Sequence, residues 1–221
     1  MSPQDWVLEI TDNFINVLEG SKNPIQLINT AKEGIGDIRN FLFVHNLEAV
    51  INGIQKNETI TRKIGKKLAK SDYGEEYGYA LLHYIDAYEH RDKGSYMAQL
   101  LDSASKDFIS PNELFIYCKI LEDVSLRSLC FLKDNIQKKI IYNYEREDKA
   151  CINELLLHDL MYEAEKGYAF SLTGFFLDKY GLSYKEERYK NYGEKMGDIP
   201  ELKKFPKVPV SILSEGTDYT G

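Results

Sequence analysis

Apolar residues recur along most of the chain at intervals of three and four, the spacing that turns one face of an α-helix toward a core. Trp6, Ile10, Phe14 and Val17 form one such row, Ile38, Phe41, Leu42, Leu47, Val50, Ile51 and Ile54 a second, and Ile60, Ile64 and Leu68 a third. Tyr77, Leu81, Tyr84, Ile85 and Tyr88 continue the pattern, and after the polar break Glu89-His-Arg-Asp-Lys-Gly94 so do Met97, Leu100, Leu101 and Ala104. Leu114, Phe115, Cys118 and Leu121 predict another helix, Leu126, Leu129, Leu132 and Ile136 the next. Leu155, Leu156 and Leu160 predict one that Gly167 ends. Only Lys139-Ile-Ile-Tyr-Asn-Tyr144 has strand character, and it stays open between a strand and a prolonged helix. Tyr168-Ala-Phe170 reads as a short extended piece before a helix from Leu172 to Tyr180.

Three helix starts are marked by a capping residue followed by proline, at Ser2-Pro3, Asn23-Pro24 and Ser110-Pro111. At the third, Glu113 has capping-box spacing from Ser110, so hydroxyl and carboxylate can satisfy each other's orphan amides. Ser125 is placed to cap the following helix. The prediction is an all-α, compact multi-helix domain of about eight to ten helices over residues 3–182, with at most a small β-hairpin or a degenerate winged-helix-like C-terminal part. Its expected organisation is a helical core over 3–138, a C-terminal part over 139–189 packed on that core, and an extended tail over 190–221, where periodicity lapses.

Hydrophobic residues make up 43% of the 221 and charged residues 29%, a balance that favours a buried core over disorder. The longest uncharged stretch, Gly167 to Leu177, is far shorter than the roughly 20 apolar residues a spanning helix needs. The first residues lack the basic start and apolar run of a secretory signal, so a cytoplasmic place is expected, with a peripheral position at the inner membrane left open. Cys118, Cys130 and Cys151, an odd number without a C-x-x-C pair, fit reduced thiols.

The net charge is −7 and its acidic excess falls on the central segments, which argues against duplex DNA as a partner. One segment runs the other way. Arg62, Lys63, Lys66, Lys67 and Lys70 form a basic stripe beside Ile60, Ile64 and Leu68. The stripe reads either as a solvated face neighbouring Asp72, Glu75 and Glu76 or as a site for an anion: a nucleotide-derived ligand, an oligonucleotide, an anionic membrane surface or an acidic protein.

Other candidate chemistry is sparse. His83, Asp86 and His90 could share a helix face, but a metal needs three or four converging ligands and a solvated polar face explains them as well. His158-Asp159 with His83 upstream and Asp178 downstream resembles the residue set of HD phosphohydrolases, four scattered positions rather than a motif. Gly34-Ile-Gly36 is a fragment of a dinucleotide fingerprint that follows no strand and reads as a helix break. No catalytic residue, metal site or cofactor is expected.

Three stretches carry a family likeness: Gly78-Tyr-Ala-Leu-Leu-His-Tyr-Ile-Asp86 with Asp92-Lys93, Ile109-Ser-Pro-Asn-Glu-Leu-Phe115 with Cys118 and Leu129-Cys-Phe-Leu132, and Tyr168-Ala-Phe170 through Asp178-Lys-Tyr-Gly-Leu-Ser-Tyr184. Over residues 35–189 the chain resembles a family of small, uncharacterised helical bacterial proteins often found near phage-defence genes, some of whose members are membrane-associated. The resemblance implies a setting in defence against phage. This chain lacks the apolar spanning segment that some relatives have. Tyr168-Ala-Phe-Ser-Leu-Thr-Gly174 also loosely resembles the end of a winged helix; acidic Glu154, Asp159, Glu163 and Glu165 on the expected preceding helix favour a wing used for packing over one that reads DNA.

The expected function is that of a non-enzymatic binding or effector component. It works as a homo-oligomer, regulated by an anionic nucleotide-like or oligonucleotide ligand at residues 62–70, with a protein partner also open. Two alternatives stand beside it. One is an oligomeric pore-forming effector, in which Asn40, His45, Glu48 and Asn52 interrupt an apolar helix; the other is an HD-type metal hydrolase. Self-association is expected through the aromatic residues Tyr168, Phe170, Phe175, Phe176, Tyr180, Tyr184, Tyr189 and Tyr192.

Overall fold

The structure, a computed structural model, describes residues 3–18, 22–33, 38–55, 74–138, 140–142 and 144–183. Among them the chain forms nine α-helices, one small antiparallel hairpin and a π-helical turn. The helices are α1 (Pro3–Leu18), α2 (Pro24–Glu33), α3 (Ile38–Gln55), α4 (Gly74–Ala87), α5 (Arg91–Ser105), α6 (Pro111–Asp123), α7 (Leu126–Asn135), α8 (Asp148–Leu157) and α9 (Leu172–Leu177). The hairpin pairs β1 (Met161–Ala164) with β2 (Gly167–Phe170), and the π-helical turn covers Asp178–Leu182 directly after α9. The mainly helical fold and its small hairpin agree with the sequence pattern.

The capping chemistry lies where the sequence placed it at Asn23, Ser110 and Ser125, while Ser2 lies outside the described residues. The Asn23 side chain accepts the amide of Ile25 at 2.9 Å. The Ser110 hydroxyl accepts Glu113 N–H at 3.2 Å while the Glu113 carboxylate accepts Ser110 N–H at 2.6 Å, a closed capping box. Ser125 caps α7 by accepting the amide of Ser128 at 3.3 Å.

One continuous hydrophobic cluster runs from Ile10 in α1 to Leu182 in the π-turn. Its axis is the pairing of α3 with α5, the most extensive among the described elements. Small residues bring the two backbones together: a Cβ added at Gly53 would lie 2.5 Å from Ala98 Cβ, and one added at Gly94 would lie 2.7 Å from the Asn46 carbonyl oxygen. Gly94 therefore belongs inside α5, where only a missing side chain permits the approach, and the polar break before α5 shrinks to Tyr88–His90. The contacts 94 to 46 and 98 to 53 ascend together, so α3 and α5 run parallel with α4 as the return. Asn46, wholly buried, donates Nδ2 hydrogens to the carbonyls of Ile85 (3.0 Å) and Tyr88 (2.7 Å), supplying donors that the end of α4 lacks.

The C-terminal part departs from the expected helix over Leu155–Gly167. α8 ends at Leu157, Asp159 takes a left-handed φ of 56°, and the chain turns into β1. Glu163 and Glu165 consequently lie on the strand and hairpin turn, away from the helix that carries Glu154. Gly167 opens β2 at φ 147°, where an added Cβ would collide with the Ile141 carbonyl. That crowding exists because Ile141 pairs with Tyr168, N–H to carbonyl at 2.8 and 3.2 Å, as a one-residue third rung. Strand character near 139–144 is thus confined to Ile141 among the described residues.

Phe170, Phe175, Phe176 and Tyr180 are all buried within the chain's own core, and Tyr168 is half-buried, its ring edge-on to Tyr144 at 5.6 Å. The expectation that this aromatic crowd forms an oligomer surface is corrected for Phe170, Phe175, Phe176 and Tyr180, whose rings are buried in the chain's own core. Tyr184, Tyr189 and Tyr192 lie outside the described residues. α3, whose polar positions suggested a pore lining, buries Phe43, Val44, Leu47, Val50 and Ile51 inside the bundle. No described helix is long and apolar enough to cross a membrane.

Candidate functional site

The basic stripe Arg62, Lys63, Lys66, Lys67 and Lys70 lies outside the described residues, as does Gly34-Ile-Gly36. The histidine and aspartate candidates are described and stay apart. His83 is exposed on α4, whereas His90 leaves that helix to cap α5, its Nδ1 accepting Asp92 N–H at 3.2 Å. His158 ends α8, Asp159 is exposed in the following turn, and Asp178 is fully buried, accepting the Ser183 hydroxyl at 2.6 Å. Among the described residues no group of three or more His, Cys, Asp or Glu side chains could hold a metal ion. Cys118 is buried and its thiol is pushed up to about 12 by desolvation, so it is a packed apolar group and not a nucleophile.

What the fold does bring together are three polar constructions, each at an end of a helix. At the start of α5, Lys93 is wholly buried and its amine bridges the Glu89 carboxylate and the Glu122 carbonyl at 3.4 Å. One cation thus answers a carboxylate and a terminal carbonyl of α6, where positive charge is favourable. At the start of α7, the Glu154 carboxylate accepts Ser125 N–H at 2.9 Å, the Ser125 hydroxyl at 2.6 Å and the Ser128 hydroxyl. Burial pushes this carboxyl up, but the three hydrogen bonds from Ser125 and Ser128 outweigh it and hold the group below the usual carboxylate range.

The third construction surrounds the π-turn, which lies against α5 and α7. The Ser103 hydroxyl donates to the Tyr180 carbonyl at 2.9 Å, and Asp102 pairs with Lys106 at 3.3 Å on the same helix end. The Tyr180 ring stacks on Phe176 at 5.9 Å and meets Phe108 at 6.1 Å. Between these groups Lys179 is 7% exposed, and its amine has no hydrogen-bond partner. It sits over the Tyr180 ring, 4.9 Å from the centroid, and desolvation lowers its pKa from the ordinary lysine value. A long cation enclosed without a partner is rare, because burial penalises the charge strongly unless pairing offsets it.

Lys179 and Asn46 escape a reading of local pattern, since neither periodicity nor capping tells which polar side chain will be enclosed. One signal was present: Asp178-Lys179 interrupts the otherwise apolar and aromatic run Phe175–Leu182. None of the family models, curated proteins or solved structures compared with the chain matches it.

Proposed function

We propose that the chain is a binding component that acts through association with protein, first of all with further copies of itself. The observation that carries this reading is the exposure of large apolar side chains on two helices that pack together: Ile25 on α2 is 60% exposed and Phe41 on α3 is 55% exposed, with Leu42 beside it. The polar groups of the three helix-end constructions are engaged in, or enclosed by, the fold itself, so they do not compete with this apolar surface as the contact for a partner. The likeness of residues 35–189 to proteins near phage-defence genes supports an effector role in that setting. The basic stripe at Arg62–Lys70 is the proposed contact for a short anionic ligand, a nucleotide-derived molecule or an oligonucleotide.

Light scattering across micromolar concentrations tests the association. The expected result is a mass above the 25.5 kDa monomer that falls to the monomer on Phe41→Glu with Leu42→Glu. A wild-type protein that is monomeric throughout overturns the reading. In the same preparation, Lys63→Glu, Lys66→Glu and Lys67→Glu together should abolish binding of a short single-stranded oligonucleotide without altering helicity.

A further inference from the structure

The π-turn combines two features that do not stabilise it. A π-helical ladder is an uncommon, wide variant of the helix that recurs where a side chain must be placed against the helical period. The turn encloses an amine that no acceptor meets. Among the contacts that hold it closed are the Ser103 hydroxyl on the Tyr180 carbonyl, the Ser183 hydroxyl on Asp178, and the packing of Phe176, Tyr180 and Leu182.

We propose that the Asp178–Leu182 turn is a releasable latch, opened by hydration of the Lys179 amine, whose release uncovers the aromatic face of Phe176 and Tyr180. None of the charged side chains carried by the described elements around it serves the amine as a hydrogen-bonded counter-ion. Asp102 and Lys106, at the near end of α5, pair with each other. Arg127 on α7 pairs with Glu147. Lys133 and Asp134 on α7, Glu113 on α6 and Asp178 on the turn itself make no hydrogen bond or ion pair with the Lys179 amine. Tyr117 on α6 and Tyr180 are neutral phenols under ordinary conditions, and a ring face offsets only part of the cost of burying an ammonium.

The closed turn therefore holds the amine best when it is neutral, and the open turn holds it as an ordinary ammonium. Opening takes up one proton over the range between the lowered value and the ordinary 10.5. Each unit of pH lost within that range raises the open population by up to about tenfold, and below the range the open population stays at its highest. A partner that binds the uncovered rings would select the open form, and acylation of Lys179, which needs the amine exposed, would report it.

Hydrogen exchange of the full-length chain, read peptide by peptide, tests the latch. In Lys179→Met the amides of Asp178–Ser183 should exchange more slowly than in wild type at neutral pH, while those of α3 are unchanged, and the wild-type to variant ratio should narrow as pH rises toward 10.5. Equal exchange in both proteins, or slowing spread equally over α3 and the turn, overturns it. Lys179→Gln, neutral but polar, should shift exchange in the same direction and decides the matter if the methionine variant misfolds.

Discussion

The two ends of α5 carry the two most deeply buried lysines described, and they are built in opposite ways. At the N-terminal end Lys93 finds a carboxylate and a carbonyl, and the neighbouring Gly94 lets α3 approach to contact. At the C-terminal end Lys179 finds a ring face and no acceptor, and a Cβ added at Gly181 would have side chains as its nearest neighbours, Leu100 at 3.1 Å and Leu177 at 3.5 Å. The same residue types, lysine and glycine, thus lock one end and leave the other releasable. The difference lies in whether polar atoms are matched and whether the neighbour is backbone or a side chain that can rotate.

The largest test of this contrast is a pair of alanine substitutions. Gly94→Ala gains about 1 kcal/mol of helix propensity but drives a methyl group into the Asn46 carbonyl, and overpacking against backbone costs about 1–3 kcal/mol or more. With α3 and α5 forced apart along their length, the expected net loss is about 2 kcal/mol, a fall in Tm of about 4–8 °C for a chain of this size. Gly181→Ala should cost less than Gly94→Ala, about 1 kcal/mol or below, because the added methyl group meets the ends of Leu100 and Leu177 at 3.1 Å or more and not a backbone carbonyl. Thermal melts that rank the two variants the other way would break the comparison.

That test also marks where the sequence ceases to be readable. Ser110, Glu113, Asn23 and Ser125 act on amides within three residues of themselves, so their roles follow from spacing alone. Gly94 and Gly167 looked like breaks because glycine ends helices locally, yet each is required by a segment distant in sequence, Asn46 for one and Ile141 for the other. The aromatic run after Tyr168 looked like a surface for the same reason: how much ring area the core encloses is a property of tertiary packing. Of the candidate site, the basic stripe lies outside the described residues, and the buried amine depends on neighbours distant in sequence.

The next test exchanges the two lysines for methionine, which keeps the apolar stem. Lys93→Met removes the donor that answers Glu122, and although Glu89 is half-exposed and regains water, the buried carbonyl does not; the expected loss is about 1–2 kcal/mol. Lys179→Met should instead gain about 1 kcal/mol at neutral pH, since it removes an unpaired buried amine. Its lowered pKa fixes the sign of the pH dependence: the penalty it imposes is fully present below the folded value and fades as pH rises toward 10.5, so wild type and variant should converge there. Denaturant titrations at neutral and alkaline pH measure both effects, and a loss of stability in both variants would remove the distinction between the two ends.

The smallest effect asks whether pairing, rather than position along the chain, makes a buried charge safe. Glu154 belongs to the C-terminal half, as Lys179 does, but it is met by three donors from Ser125 and Ser128. Glu154→Gln leaves one oxygen to accept and turns an NH2 group toward a hydroxyl, so the cap of α7 should weaken by about 1 kcal/mol at neutral pH. Burial raises this carboxyl, but the hydrogen bonds lower it further, to below its ordinary 4.5. A depressed folded value means that the carboxylate's contribution is complete above 4.5 and is lost as pH falls through the folded value. The stability gap between wild type and Glu154→Gln should therefore be flat from neutral pH down to about pH 5.5 and close below 4.5. A gap that persists undiminished in acid would mean that Glu154 acts through its shape and not its charge, and would confine the contrast between matched and unmatched charges to the two lysines of α5 and the π-turn.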